Sequence, residues 1–354
     1  MIRSVMRVAI VLALVLAVAG IWVYSSIQQH LDAPVNLQSQ TLDDKGRFLW
    51  LVARGSNLNQ INRQLYQQQI LSHSRVMSAY ATFTGRTEIQ AGSYLVAPTD
   101  SARSLLRKFN RGDVVREQIT FPEGWSFKQW LSHIAAQPQF SSIATISVDQ
   151  LLLEAGIDVA HPEGWFFPDT YSYSATDTVS DILNQAHNKM QELLAEAWQD
   201  RDPDLPYKSA YEVLIMASII EKETGLAEER DAIAGVFVRR LNRGMRLQTD
   251  PTVIYGMGDS YRGNIRRADL KRRTPYNTYR IKGLPPTPIA MPSAAALDAA
   301  VHPLPGSSLY FVARGDGGHY FSDSLEEHLR AVKQYQINNR ARNYQSAPPI
   351  KDNK

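Results

Sequence analysis

The chain has 354 residues, room for about two domains and an anchoring segment. Its net charge of +3 reads as widely spread, which gives no sign of the dense basic patch of a nucleic-acid binder, so no nucleic-acid partner is expected. There is no cysteine, no HExxH, no GxGxxG and no P-loop, and the eight histidines are dispersed, so neither a metal nor a cofactor is expected.

Arg3 and Arg7 precede an apolar run at 8–24, at the short end for a spanning helix. The positive flank belongs in the cytoplasm, which puts the rest of the chain outside. Ala17-Val18-Ala19 resembles a signal-peptidase site. The apolar run continues through Ile21, Trp22, Val23 and Tyr24, however, and an interfacial Trp and Tyr fit an uncleaved anchor better. The expected layout is a cytoplasmic N-terminus at 1–7, a single pass of the inner membrane at 8–25 and a polar tether at 26–45. A small module at 46–113, a periplasmic catalytic domain at 114–342 and a disordered tail at 343–354 follow.

Residues 47–53 read as a strand, 56–66 and 74–83 as helices, and 92–97 as a returning strand closed by Pro98. This β-α-α-β order outlines a LysM-like glycan-binding module; a packing or spacer module has the same outline. Asp100 caps a helix at 101–111, and 114–121 alternates like a strand. Pro122-Glu123-Gly124 turns the chain, and Ser126 with Gln129 forms a capping box for 127–136. Ser147 and Gln150 form another before 151–155. The aromatic stretch 161–173 is expected to be irregular. A long amphipathic helix then runs from Thr178 to about 199.

The helix at 210–225 (AYEVLIMASIIEKETG) is apolar on almost every side in its first half, as a buried helix is. It is too short to span a bilayer and ends abruptly in Glu221, Lys222 and Glu223. A further helix is expected at 228–243, a strand pair at 308–314 and 318–322, and a final helix at 325–339. The fold class is α+β: an N-terminal transmembrane helix, a LysM-like βααβ module, then a mixed α/β catalytic domain.

Glu221 stands where the buried helix meets solvent. A carboxyl group partly withdrawn from water holds its proton more readily, the state a general acid needs near neutral pH. The plain alternative is a solvated acid. A carboxylate at a helix C-terminus opposes the helix dipole, though, unless Lys222 or a nearby Arg compensates. Glu223 points to another side of the helix. Small residues, Ser218 and Ala217, precede Glu221 at helical spacing and leave room for a substrate, while Glu223 follows Ile219 and Ile220 on a packing face.

Two other stretches carry more polar groups than packing requires. One holds Glu163, Trp165 and Asp169; the other holds Gln248, Thr249, Asp250, Tyr255, Asn277 and Tyr279. Aromatic faces with amides and carboxylates suit a sugar. Asp169 after Pro168 and Asp250 before Pro251 also read as turn residues.

In order, EGWFFPDTY, ASIIEKET, RLQTDPTVIYG, PYNTY and GLPPTPI resemble the motifs of the YceG-like family of endolytic murein transglycosylases, over about 118–334. The resemblance implies cleavage of the β-1,4 bond between N-acetylmuramic acid and N-acetylglucosamine within nascent peptidoglycan strands. It leaves 1,6-anhydromuramyl ends and terminates glycan elongation. It implies peptidoglycan as substrate, the bilayer as a partner of the N-terminal helix, and cell-wall synthases as candidate partners. The family's catalytic glutamate maps onto Glu221. One carboxyl group suffices, acting as acid and then as base, while the neighbouring loops exclude water and hold the sugar. Asn277, Gln248 and Tyr255 are the candidates for holding it. Two readings stand beside this one: a muramidase-type hydrolase with Asp250 or Asp169 as second carboxylate, and a membrane-tethered peptidoglycan-binding scaffold.

Overall fold

The computed structural model describes residues 2–338, so the 343–354 tail expected above lies outside the described residues. The chain divides into two compact units, Met1–Gln118 with Ser172–Asp177, and Ile119–Tyr171 with Thr178–Lys354.

The first unit holds α1 (Ile2–Asp32), β1 (Phe48–Val52), α2 (Leu58–Gln67), α3 (Val76–Thr84), β2 (Gly92–Val96) and α4 (Ala102–Arg111). Among the described residues one helical stretch is long and apolar enough to cross a bilayer, Ile10–Asp32, with mean hydropathy 2.4. Its large side chains from Ile10 to Tyr24 are exposed. The end of the helix is different. Leu31 is fully buried, and Val35 and Leu37 join the same core. Asp32 pairs with Arg103 of α4 at 2.6 Å, and Val35 N donates to Asp100 O at 2.8 Å. The segment 26–45, polar on average, therefore carries the last turns of α1 and three core side chains.

β1 and β2 pair antiparallel, from Phe48↔Val96 to Val52↔Gly92. Trp50 and Val52 point inward with Tyr94 and Val96, and α2 and α4 cover them with Ile61, Leu65, Leu105 and Phe109. The β-α-α-β order is present. The cap of α2 is Asn57, in a capping box with Gln60, rather than Ser56 at the start of the expected 56–66 helix.

β3 (Arg116–Thr120) and β4 (Thr170–Ser174) form a two-stranded sheet, and each strand passes from one unit to the other along its length. β4 overlaps the end of the aromatic stretch 161–173 expected to be irregular.

The second unit contains α5 (Phe127–Ala135), α6 (Val148–Ala155), α7 (Val179–Asp200), α8 (Ala210–Glu223), α9 (Arg230–Asn242), α10 (Asp250–Met257), α11 (Arg267–Lys271) and α12 (Ala294–Val301). The antiparallel pair β5 (Tyr310–Ala313) and β6 (His319–Ser322) follows, then α13 (Leu325–Val332). Every residue from Val213 to Ile220 in α8 is buried. The helix packs against α7, α9, α10 and α12. Leu214, Met216 and Ile219 meet Phe237 of α9 and Leu297 of α12 in one core. Ala296, Ala299 and Ala300 keep α12 slim enough to lie close. Each large buried side chain contributes about 1.5–3 kcal/mol. α10 starts with Asp250-Pro251 because proline suits the first helical turn, where its missing N–H costs nothing.

Candidate active site

Successive residues of a helix point roughly 100° apart, so the last three residues of α8 face three different surroundings.

Glu221 is partly buried. Its Oε2 accepts from Ser293 N at 3.0 Å and from Ser293 Oγ at 2.5 Å. Ser293 is also the N-cap of α12, its Oγ accepting from Ala296 N at 3.2 Å. The negative end of α8 thus meets the positive end of α12 at this carboxylate. That helix N-terminus supplies compensation which the sequence reading assigned to a neighbouring cation. Among the described residues no donor bonds the other oxygen, Oε1.

The turn at 122–125 lies against Glu221. A Cβ built on Gly124, where φ is +72°, would stand 3.7 Å from Glu221 Cγ. Gly124 N donates to Met291 O and Met291 N to Trp125 O, both at 2.8 Å, clamping this turn to the segment before α12. Glu123 projects from the turn. Its carboxyl group titrates above the usual range, first through desolvation and then through the charge of Glu221, with Arg230 opposing.

Lys222 donates to Gly124 O at 3.0 Å. Desolvation lowers its pKa, opposed by the charges of Glu221 and Glu163. Glu163 is only 3% exposed. One of its oxygens accepts from Phe127 N at 2.9 Å and the other from Tyr255 OH at 3.1 Å. Burial pushes it up to about 7 against those bonds and Lys222. Tyr255 stands edge-on to Tyr276, which bonds Thr287 at 2.9 Å. Gly164, at φ +86°, comes so close to Pro288 that a Cβ would sit 2.5 Å from the ring. Four of the five motifs are joined by these contacts.

Glu223 turns toward Thr249, Asp250 and Arg240. Burial and the Asp250 charge raise it to about 7, while Thr249 and Arg240 oppose. Tyr279 OH donates to Asp250 at 2.7 Å. Gln248 is exposed and holds φ +53°, and Thr249 N bonds Thr278 Oγ1 at 3.1 Å. Asn277 is 1% exposed. Its amide nitrogen donates to the carbonyls of Asp269, Leu270 and Arg272 and its oxygen accepts from Tyr279 N, so its polar atoms are engaged within the loop.

The sequence-selected residues therefore fall into three groups. Glu163, bonded by Tyr255, feels the charge of Lys222, next to Glu221. Gln248, Thr249, Asp250 and Tyr279 gather by Glu223, with Asn277 behind them. Trp165 and Asp169 lie apart. Trp165 stacks on Tyr211 at the start of α8, ten residues or about 15 Å from Glu221. Asp169 pairs with Lys189 and accepts from Thr170 N. A raised pKa marks Glu123, Glu163 and Glu223, but both oxygens of buried Glu163 are already bonded. Sequence reasoning passed over Glu123, Lys222 as a bridge, and Ser293. Only Ser293 carried a signal, as a serine cap before AAALDAAV. Among the described residues no group of three or more His, Cys, Asp or Glu is placed to hold a metal ion.

The sequence model of the YceG-like family matches residues 51–334, a span that takes in all five motifs. The chain belongs to the YceG-like family. It is 30% identical over 302 residues to the endolytic murein transglycosylase of Bacillus subtilis, covering 80% of this chain and 83% of that one. It is 28% identical over 351 residues to the endolytic murein transglycosylase of Streptococcus pneumoniae D39, covering 88% of this chain and 62% of the relative. The crystal structure of a yceG-like protein from Listeria monocytogenes has 28% identity and a TM-score of 0.51. That likeness covers 81% of this chain and 99% of the Listeria chain. In this YceG-like chain, the helix end carrying Glu221 lies within the matched span.

Proposed function

We propose that this chain is an endolytic murein transglycosylase with Glu221 as its catalytic residue. One observation carries the reading: Glu221 has one oxygen held twice by Ser293 and the other without a protein donor among the described residues. A carboxyl group that is fixed at one oxygen and open at the other can pass a proton along one direction.

In the reaction, Glu221 in its acid form donates a proton to the glycosidic oxygen between muramyl C1 and the leaving N-acetylglucosamine. The C1–O bond breaks as positive charge develops at C1. The Glu221 carboxylate then takes the proton of the muramyl C6 hydroxyl, whose oxygen forms the new bond to C1. The product is a 1,6-anhydro end, and Glu221 returns to its acid form. The turn at 122–125 and the Tyr255 and Tyr276 rings exclude water, so that the intramolecular hydroxyl wins. Gln248, Asp250 and Tyr279 are the sugar-contacting groups on the Glu223 side, with buried Thr249 beneath them. Asn277 supports the loop that carries them, and Trp165 and Asp169 pack elsewhere in the unit.

The N-terminal helix anchors the chain in the inner membrane with the catalytic unit on the periplasmic side, where it ends glycan elongation beside the synthases. The βααβ module is LysM-like and grips the strand. These finer points rest on the apolar helix, its positive flank and the element order.

A hydrolase is the second reading, favoured by one observation. Glu123 is a carboxylate electrically coupled to Glu221, whereas Asp169 and Asp250 are bonded elsewhere. Mass spectrometry of fragments released from glycan strands separates the two. Anhydro ends support the lyase and reducing ends the hydrolase. Glu221→Gln should lower turnover at least a thousandfold, on the order expected for loss of a catalytic acid-base; fragments released at the wild-type rate would sink the assignment.

A further inference from the structure

Between 261 and 282 the chain carries six arginines and two lysines against one acid, Asp269. The whole chain has a net charge of +3, so the remainder is net acidic and this segment holds the excess. All eight cations are exposed. Among the described residues, none of Arg262, Arg266, Arg267, Arg272, Arg273 and Arg280 has a carboxylate within ion-pair distance. An ordinary solvated face intersperses both signs, because like charges side by side repel. A surface kept this one-sided has the electrostatics of a site for an anionic polymer.

The segment is not a loose loop. Asn277 clasps the carbonyls of Asp269, Leu270 and Arg272, which ties α11 and its flanks to Thr278 and Tyr279. Those two residues bond Thr249, Asp250 and Thr252 at the start of α10. α10 in turn carries Tyr255, which bonds Glu163 beside Lys222. The basic surface is therefore built onto the same unit as Glu221, through a chain of hydrogen bonds.

Two anionic occupants compete, a membrane surface and the substrate itself. Amphipathic helices that dock on lipid carry apolar side chains that enter the bilayer boundary, and a basic segment without them is held there by charge alone, at about 1 kcal/mol per Lys or Arg. Among the described residues no large apolar side chain is exposed between Leu153 and Leu304. Arginine forks fit carboxylates in a bidentate way. Peptidoglycan carries a short peptide on each muramyl residue, and these stems bear free carboxylates.

We propose that the arginine surface at 262–282 binds the stem-peptide carboxylates of the glycan strand, so that the strand is held by its peptides as well as by its sugars. This rests on the murein reading above.

The test uses the full chain with Glu221→Gln, in detergent, binding glycan strands with their stems or stripped of them by an amidase. Arg266→Gln, Arg267→Gln, Arg272→Gln and Arg273→Gln together should weaken binding to stem-bearing strands about tenfold, the scale of several exposed charge pairs. Binding to stripped strands should not change. Arg→Lys at the same four positions keeps the charge without the fork and should recover only part of the affinity, with the denaturant midpoint unchanged, which separates lost recognition from a disturbed fold. Unchanged binding to stem-bearing strands, or an equal loss on both substrates, overturns the proposal. So does protection of the patch arginines from trypsin in phosphatidylglycerol nanodiscs but not by stem-bearing strands, which assigns the surface to lipid. The murein reading fails separately, if the chain without the Glu221 substitution releases no fragments from either substrate.

Discussion

Ser293 has two tasks that pull on the same oxygen. It caps α12 through Ala296 N and donates to Glu221 Oε2. Ser293→Ala should cost about 1 kcal/mol of stability as a lost cap, read from the urea midpoint. It should also lower kcat roughly tenfold with KM unchanged, because a hydrogen bond that fixes the carboxyl is removed while the sugar contacts remain. Ser293→Thr should restore most of both. A parallel fall in kcat and rise in KM would show that Ser293 meets the sugar instead. Glu163 gives a pH prediction. Its folded pKa, about 7, lies above the ordinary 4.5, so the folded state binds the extra proton between those values. Stability is therefore full below about 4.5 and falls as pH rises through 7. Glu163→Gln should shrink the loss of stability between pH 4 and pH 8 by on the order of 3 kcal/mol, measured by urea unfolding at each pH. An unchanged pH slope would mean that Glu163 is ionised at little cost.

At the level of elements, the site is a meeting of one helix C-terminus, one helix N-terminus and two tight turns. Motifs far apart in sequence touch through glycines, and Gly164 is the tightest of them. It needs both its positive φ and the space beside Pro288. Gly164→Ala should destabilise by roughly 1–3 kcal/mol through overpacking, plus about 1 kcal/mol for left-handed backbone. Displacement of the 285–288 turn should also lower activity. Denaturant midpoint and turnover measured on the same sample check this; a midpoint within about 0.3 kcal/mol of wild type would contradict the close contact. The elements read best from sequence were those with strong local signals, such as the Ser126 capping box and the unbroken apolar run of α8. Asp250-Pro251 reads as a turn where α10 begins, and β4 overlaps a stretch expected to be irregular, because proline and aromatic density look the same in a turn, in a first helical turn and in a short strand.

For the whole molecule, the apolar N-terminal helix and the first core are one continuous element. Deleting residues 1–24 should remove the need for detergent and leave the first unit's stability unchanged. Deleting 1–37 should take away Leu31, Val35 and Leu37 and cost about 5 kcal/mol by burial of those side chains. Amide exchange in β1 and β2 reads the difference; equal protection in both truncations would show that the segment is a passive linker.

Composition, local periodicity and capping determined much by themselves: the apolar N-terminal helix, a buried α8 and Glu221 at its end, and the order of the family motifs. These are short-range properties, readable within a few turns of chain. The concentration of charge at 262–282 was also in the sequence, hidden by averaging over 354 residues. Tertiary structure decided what meets what. It set Ser293 and the N-terminus of α12 against Glu221, placed Glu123 beside it, sent Glu223 toward Asp250, and put Trp165 and Asp169 elsewhere. Contacts between residues separated by 20 positions or more depend on how helices pack, and packing is set by the shape of the whole core rather than by any one stretch.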